Sequence, residues 1–574
     1  MNRIYRLVVN HSLGLIQVAS ELGSARGKTR AVRGATRSSR ESAGTAPTKT
    51  SLAAALALTL LVPALAMIPL PTQAATVALI PNTGHAGGAG GSGYVGAPGA
   101  GGTGAALGSS SNDGGQGGTA AQPAGFSGYS AGMAYGVGGR GGKGVYSSAL
   151  GAFVDGGGGG GGGQFGAYLP AGSYSLASGT GSIIRGGAGG NGGYAAYGYG
   201  GFGGSGAPGV YGKGFTLTNS GNITGGNGGI GGADASSNPH YARGGDGGHG
   251  VVGSGFTLIN NGTVGGGYGG AGDYANGFNF GRGGFGIVAY SGSSITNSGL
   301  IAGGLGQLGG GYVSPAIYFN GGGNTLTLLY QSMFSNNGLY GNVISSSGTY
   351  NGGDTLELGG IPDATLTGTL SSGAPSYSWS GAPVFYGFQN LLKTGASHWT
   401  IHNGSGTNAI PNWDVEAGVL KLSSGDSFTA SGSTDTLTFG IQATSSTAAT
   451  PGVDNGEIVV PAYGNVFFNG EPVTIQLAPG TYAAGVTYTL MTASSFDAAP
   501  GLTFSPSLPS GMSCTDSTSS GTSLTLTCAS GGTIGASSSG GGGAFGLLSM
   551  FGLMGLAGLG RKAARSNRKP GASG

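Results

Sequence analysis

The sequence predicts an all-β protein wound as a right-handed parallel β-helix, a solenoid with a long Gly-rich region and targeting segments at both ends. Three observations predict it. The first is a phrase that returns: Leu217-Thr218-Asn219-Ser220-Gly221-Asn222-Ile223-Thr224-Gly225-Gly226 reappears as Leu258 to Gly266 and again as Ile295 to Gly304, with a degraded copy starting at Leu176. Its leading apolar residues stand at 176, 217, 258 and 295, steps of 41, 41 and 37 residues, and a fixed period of this size marks a stacked repeat. The second is alternation: Phe215, Leu217 and Ile223 alternate with Thr216, Thr218 and Asn222, the period of a half-buried strand. The third is that after about residue 311, where β-formers rise, no segment sustains a helical period.

Within each repeat, Asn-(Ser/Asn)-Gly supplies a turn, because Asn and Gly both tolerate positive φ. Such short strands bury no face alone, whereas stacking equivalents builds a continuous apolar strip. A 41-residue period accommodates about two rungs, one made by the phrase and a looser one made by the glycines. Asn219, Asn260 and Asn297 are expected to stack as an amide ladder along the axis.

Glycine accounts for 136 of 574 residues, most of them between Gly84 and Gly310. It brings no side chain to bury, so a conventional packed core is not expected there. Residues 76–173 read as a Gly-rich low-complexity region, a flexible spacer or else extended glycine helices packed beside a sheet. Residues 174–310 form the repeat region. Gly244-Gly245-Asp246-Gly247-Gly248-His249 lacks the order of a calcium-binding nonapeptide, and no lysine follows a glycine run as a phosphate loop requires. Charged residues make up 7% of the chain, and nine Lys/Arg lie in residues 1–50 and five more in 561–569. The body between them carries about nine more acidic than basic residues, which does not read as a nucleic-acid binder.

Residues 311–530 read as β-rich: Thr325–Leu329, Thr355–Leu358, Val415–Leu422, Thr436–Phe439, Glu457–Val460, Val473–Leu477 and Tyr488–Met491 are strand-like. A β-helix enzyme acting on polysaccharides needs carboxylates clustered on adjacent rungs. The candidates, Asp354 with Glu357, Asp414 with Glu416 and Asp454 with Glu457, read as solvent-facing strand or turn residues; Lys393 and Lys421 are the positive charges nearby. No catalytic residue, cofactor or metal site is assigned. His398 and His402 lie four apart in a strand-like stretch and read as surface histidines. Cys514 and Cys528, the only cysteines, are expected to oxidise in an exported chain and close a hairpin.

Residues 1–75 read as an address. An Arg-rich segment precedes the apolar run 51–68 and the small residues of a signal-peptidase site, with cleavage after Ala66 or at Ala74–Ala75. Met1-Asn2-Arg3-Ile4-Tyr5-Arg6, Asn10 and Val18-Ala19-Ser20-Glu21-Leu22 resemble the extended signal-peptide region of large Gram-negative autotransporters, with Val9 and Ile16 where that family usually places Trp. The resemblance implies the secretory translocon and signal peptidase as partners.

Asp354-Thr355-Leu356-Glu357-Leu358-Gly359-Gly360, Phe388 to Gly395 with Trp399-Thr400-Ile401, and Trp413 to Leu422 resemble late-passenger autotransporter phrases. Over roughly 174–528 this implies a pectin-lyase-like right-handed β-helix, with Trp399 and Trp413 in its core. Only 46 residues follow Cys528, too few for a translocator barrel. They comprise a Ser/Gly spacer, 531–543, and a segment, 544–569, in which the apolar run Ala544 to Leu559 precedes a basic tail. This order resembles glycine-glycine C-terminal sorting tails. It implies transient inner-membrane anchoring and cleavage by a rhomboid-type protease near Gly543, Ala544 and Gly546. The expectation is a non-enzymatic exoprotein at the cell surface or outside the cell, acting in adhesion or matrix; a β-helix polysaccharide-degrading enzyme and a self-assembling Gly-rich structural protein are the alternatives.

Overall fold

The computed structural model describes residues 163–535 with short interruptions, and segments at 5–10, 15–20, 76–79, 82–83, 146–147 and 152–153. The cleavage candidates Ala66, Ala74, Ala75, Gly543, Ala544 and Gly546 lie outside the described residues, as does the apolar run 544–559. Among the described residues, no helix is long and apolar enough to cross a membrane.

The chain divides into two units, residues 1–73 and 74–574. In the first, Tyr5–Asn10 and Leu15–Ser20 pair antiparallel, Tyr5 opposite Ser20. The second is a parallel β-helix. One turn contributes Val210–Lys213, Phe215–Asn219 and Asn222–Thr224 to three different sheets, and each strand pairs in parallel with its equivalents one turn before and after. Among the described residues the longest sheet has 12 strands, from Val77–Ala78 to Leu502–Ser505. The stack therefore opens within the stretch that composition marks as low-complexity.

Two sequence expectations change here. Leu217 pairs directly with Leu258, and Leu258 with Ile295, so one period is one turn, not two rungs. The glycines do not form a second rung; they leave the coil as an excursion and return before the next turn begins. Where that excursion is lost, the turn shortens: Leu391 pairs with Trp413, 22 residues on. The degraded copy is also offset by two residues, since Tyr174 faces Leu217 and Leu176 faces Asn219.

The core is a column of stacked apolar side chains. Leu217, Leu258, Ile295, Leu326, Leu356, Leu391, Trp413, Leu437 and Val473 are each at most 4% exposed, and burying each is worth about 1.5–3 kcal/mol. Phe215 and Phe256 stack at 5.0 Å one turn apart. Trp399 and Trp413 lie in this core, their ring N–H groups donating to the carbonyls of Gly359 (3.2 Å) and Ile410 (2.7 Å). The amide ladder forms where the sequence places it. Asn219 Nδ2 donates to Asn260 Oδ1 (2.8 Å) and Asn260 Nδ2 to Asn297 Oδ1 (2.9 Å), all three fully buried.

At the far end the pairing reverses direction. Val486–Thr492 pairs antiparallel with Ser523–Ser530, which pairs antiparallel with Ser513–Ser519. A disulfide joins Cys514 to Cys528 across this last pair.

Candidate functional surface: a two-layered glycine array

The excursions follow a Gly-Gly-x rhythm: Gly225-Gly226-Asn227-Gly228-Gly229-Ile230-Gly231-Gly232 runs outward, and Gly244-Gly245-Asp246-Gly247-Gly248-His249-Gly250 returns. The hydrogen bonds repeat every three residues. Gly186, Gly189 and Gly192 donate their N–H groups to the carbonyls of Thr224, Asn227 and Ile230 at 2.7–2.9 Å. A repeat of three is that of the extended threefold helix of polyproline and polyglycine. Four outgoing legs (186–193, 225–232, 266–271 and 303–306) lie side by side in one layer, and the return legs make a second layer behind them.

Each position in the triplet has one task. The first glycine donates within its layer to the next turn: Gly228 N to Tyr268 O (2.8 Å) and Gly231 N to Ala271 O (2.8 Å). The second donates across the layers: Gly226 N to Ala207 O (2.8 Å), Gly229 N to Gly204 O (2.8 Å), and Gly248 N to Gly226 O (2.7 Å). Most glycines at these two positions have no room for a side chain, although Ala207, Ala242 and Ser314 fill the second position elsewhere in the array. A Cβ on Gly229 would overlap the carbonyl of Gly190, and one on Gly248 that of Ala207. The third residue points outward, which leaves its own N–H facing solvent. Where the preceding turn carries Asn, Asp or His at the matching position, that side chain accepts it: Ile230 N to Asn191 Oδ1 (2.9 Å), Tyr268 N to Asn227 Oδ1 (3.0 Å), Arg282 N to Asp246 Oδ1 (2.8 Å) and Phe285 N to His249 Nδ1 (2.9 Å).

The array thus has two unlike faces. On the outgoing face the exposed third residues are Asn191, Asn227, Ile230, Tyr268 and Leu305. The return face carries charge: Arg243 and Asp246 form an ion pair at 2.8 Å, and Arg282 follows on the next turn. His249 stacks on Phe285 at 5.0 Å. Burial pushes its pKa down to about 4, with Asp246 partly opposing. The Gly244–His249 stretch is therefore two triplets of a return leg, with Asp246 and His249 committed to the next turn.

Of the residues weighed for catalysis, Asp354, Glu357 and Lys393 are committed to the scaffold, while Asp414 and Glu416 lie near Glu357. Asp354, expected at the surface, is fully buried; its carboxylate accepts from Asn324 N (3.0 Å), Asn324 Nδ2 (2.9 Å), Ser345 Oγ (2.7 Å) and Ser347 Oγ (2.8 Å). Glu357 is held by Thr327 Oγ1 (2.8 Å) and Thr394 Oγ1 (2.7 Å). Lys393 is wholly buried, and its Nζ donates to the carbonyls of Thr394 (2.7 Å), Gly395 (2.8 Å) and Ala417 (3.2 Å); burial lowers its pKa to about 8. Desolvation raises Asp414 to about 6 and Glu416 to about 7, with Asp414 and Glu357 adding to the rise at Glu416. Glu457 is buried, not solvent-facing, and rises to about 7 for the same reason, while Asp454 Oδ2 accepts from Thr450 N (2.7 Å) in a turn. His398 and His402 are exposed and sit beside different carboxylates, Asp363 (3.6 Å) and Asp426 (3.1 Å). Among the described residues no group of three or more His, Cys, Asp or Glu side chains is placed to hold a metal ion.

Sequence reasoning did not single out Asn191, Asn227, Ile230 or Tyr268. The signal was present in the strict Gly-Gly-x spacing, which assigns every third residue to an outer face.

A family model for the extended signal peptide of the type V secretion system matches residues 1–66. The chain is accordingly an exported protein that enters the secretory machinery by an autotransporter-type signal, bound for the cell surface or the outside. No curated protein and no solved structure matches the chain.

Proposed function

We propose that this is a non-enzymatic β-helix exoprotein of autotransporter-passenger type, of pectin-lyase-like architecture, that adheres through the outer faces of its glycine array. The observation that carries the reading is the array itself. Its interior spends its backbone groups on cohesion, while every third residue is displayed on a regular surface. Repeated display suits many weak contacts acting together, where avidity exceeds any single affinity. A non-catalytic role is supported by the employment of Asp354, Glu357 and Lys393 inside the scaffold. We further propose that the C-terminal segment is a sorting tail, cleaved near Gly543, Ala544 or Gly546 by a rhomboid-type protease after transient anchoring in the inner membrane.

Mass spectrometry of the termini of surface or culture-medium material tests the addresses, and adherence of purified exported protein to host matrix and to abiotic surfaces tests the role. Full-length protein found only in the inner membrane would sink the sorting reading. Failure to adhere anywhere would sink the adhesive one. One observation favours a second reading, a polysaccharide-degrading enzyme: Asp414 and Glu416 have carboxyl groups raised to about 6 and 7, the range of a general acid. Glycan cleavage abolished by both Asp414→Asn and Glu416→Gln would establish it.

A further inference from the structure

We propose that the outgoing face of the glycine array binds an uncharged polysaccharide, with sugar rings lying against Tyr268 and Ile230 and their hydroxyl groups accepting from Asn227 and Asn191. The inference deepens the adhesive reading and rests on it. Three features of the face point to this class of ligand.

The first is the orientation of the amides. Asn191 and Asn227 each spend Oδ1 on the N–H of the next turn, at 2.9 and 3.0 Å. An amide side chain has one accepting oxygen and one nitrogen with two donors. With the oxygen fixed toward the backbone, the nitrogen is left as an outward donor whose direction is set before any ligand arrives. Such preorganisation cuts the ordering cost of binding. Both asparagines are exposed.

The second is what stands beside them. In each column the residue one turn beyond the asparagine is a large, exposed apolar side chain. Asn227 is followed by Tyr268, 55% exposed, and Asn191 by Ile230, 46% exposed. A fixed donor next to an aromatic or aliphatic surface matches a pyranose ring, which offers an apolar C–H face and a rim of hydroxyls. The amphipathic Tyr side chain serves both.

The third is charge. The described outgoing legs, 186–193, 225–232, 266–271 and 303–306, contain no ionisable residue other than Tyr268. Arg185, at the end of the strand before the first leg, is turned to Thr224 Oγ1 at 3.2 Å. The return face, with Arg243, Asp246 and Arg282, is the charged one. Apart from Arg185 at their base, the described outgoing legs therefore carry no charge to neutralise an anionic polymer, and little charge is desolvated in receiving a neutral one.

The test is binding of full-length exported protein to cellohexaose and yeast mannan, with chondroitin sulfate as the anionic comparison, by calorimetry and by retention on immobilised glycan. Wild type is expected to bind at least one neutral probe. Tyr268→Ala should weaken that binding at least tenfold. Asn227→Asp keeps the acceptor for the Tyr268 N–H but replaces the donors with a charge, and should weaken it similarly. Protection of the Gly228 and Gly229 amides from hydrogen exchange must stay as in wild type, so that the loss is one of contact and not of folding. Binding of chondroitin sulfate alone, neutral binding untouched in both variants, or association of this face with a second copy of the chain would each overturn the proposal. Adherence that survives Tyr268→Ala in a protein that binds neither neutral probe would overturn the glycan assignment and leave the adhesive reading standing; absence of adherence altogether removes both.

Discussion

Substituting alanine for Gly229 isolates the principle on which the array is built. The added methyl would overlap the carbonyl of Gly190 in the neighbouring outgoing leg, and main chain cannot step aside as a flexible side-chain end can. The legs must part. The bonds at risk are Gly189 N to Asn227 O (2.8 Å), Gly192 N to Ile230 O (2.7 Å), Gly229 N to Gly204 O (2.8 Å) and Ile230 N to Asn191 Oδ1 (2.9 Å). At about 1 kcal/mol net each, their loss costs about 3–4 kcal/mol. The unfolded chain is meanwhile stiffened by replacing glycine, returning about 0.4–1 kcal/mol. The net expectation is about 2–3 kcal/mol, confined to the array because a solenoid opens locally. Hydrogen exchange read amide by amide is the assay: Gly189, Gly192 and Gly229 should lose about 30- to 150-fold in protection while the Leu258 and Ile295 amides keep theirs. Ile230→Ala, one residue on at an outward position, is the control and should change protection by no more than about 0.5 kcal/mol. Wild-type protection in Gly229→Ala, or equal losses in the two variants, would refute the close-packed triplet reasoning.

Three further outcomes are expected. Asn260→Ala removes the bonds to Asn219 (2.8 Å), Asn297 (2.9 Å) and the Leu300 carbonyl (3.2 Å) from a fully buried site; urea unfolding should show a loss of about 2–4 kcal/mol. Reducing Cys514–Cys528, whose residues are 14 apart in sequence, should cost about 3 kcal/mol by the chain-entropy account and raise exchange in 486–530 first. Asp414, Glu416 and Glu457 have folded pKa values raised to about 6, 7 and 7, so between about pH 4.5 and 7 the folded state holds protons that the unfolded state has lost. Their contribution to stability therefore falls as pH rises through that window. His249, lowered to about 4, acts in the opposite sense below its ordinary value, and Lys393, lowered to about 8, does so weakly near pH 7.5; these are two groups against three. The melting temperature should be higher at pH 5.5 than at 7.5, with a smaller difference in Asp414→Asn; a higher value at pH 7.5 would contradict the assignment.

The parts of the fold legible in the sequence were those carried by side chains at fixed spacing. Leu217, Leu258 and Ile295 announced the stack, and Asn219, Asn260 and Asn297 announced the ladder, because equivalent positions must meet if equivalent strands pair. The number of rungs per period was not legible. Residue counting treats chain inside the coil and chain outside it alike, and glycine has no side chain to say which it is. The offset at Leu176 arose similarly, since one apolar residue in an alternating strand looks like the next but one. The binding face stayed hidden because its cue lies in the glycines between the displayed residues. Asp354 and Glu457 misread as surface groups because a carboxylate's burial depends on partners from other turns, such as Asn324 and Ser345, which linear sequence does not bring together.

The middle of the glycine array is packed almost entirely from backbone, with few side chains such as Ala207 and Ala242 buried in it. The β-helix beside it rests on packed leucine, isoleucine and tryptophan, whose attraction fades on cooling and whose exposure raises the heat capacity. The array has almost no apolar surface of that kind to expose, so melting it should carry little heat-capacity change. Two bodies joined along one chain would then answer temperature differently: chilling weakens the rod while the sheet of glycine legs keeps its hold.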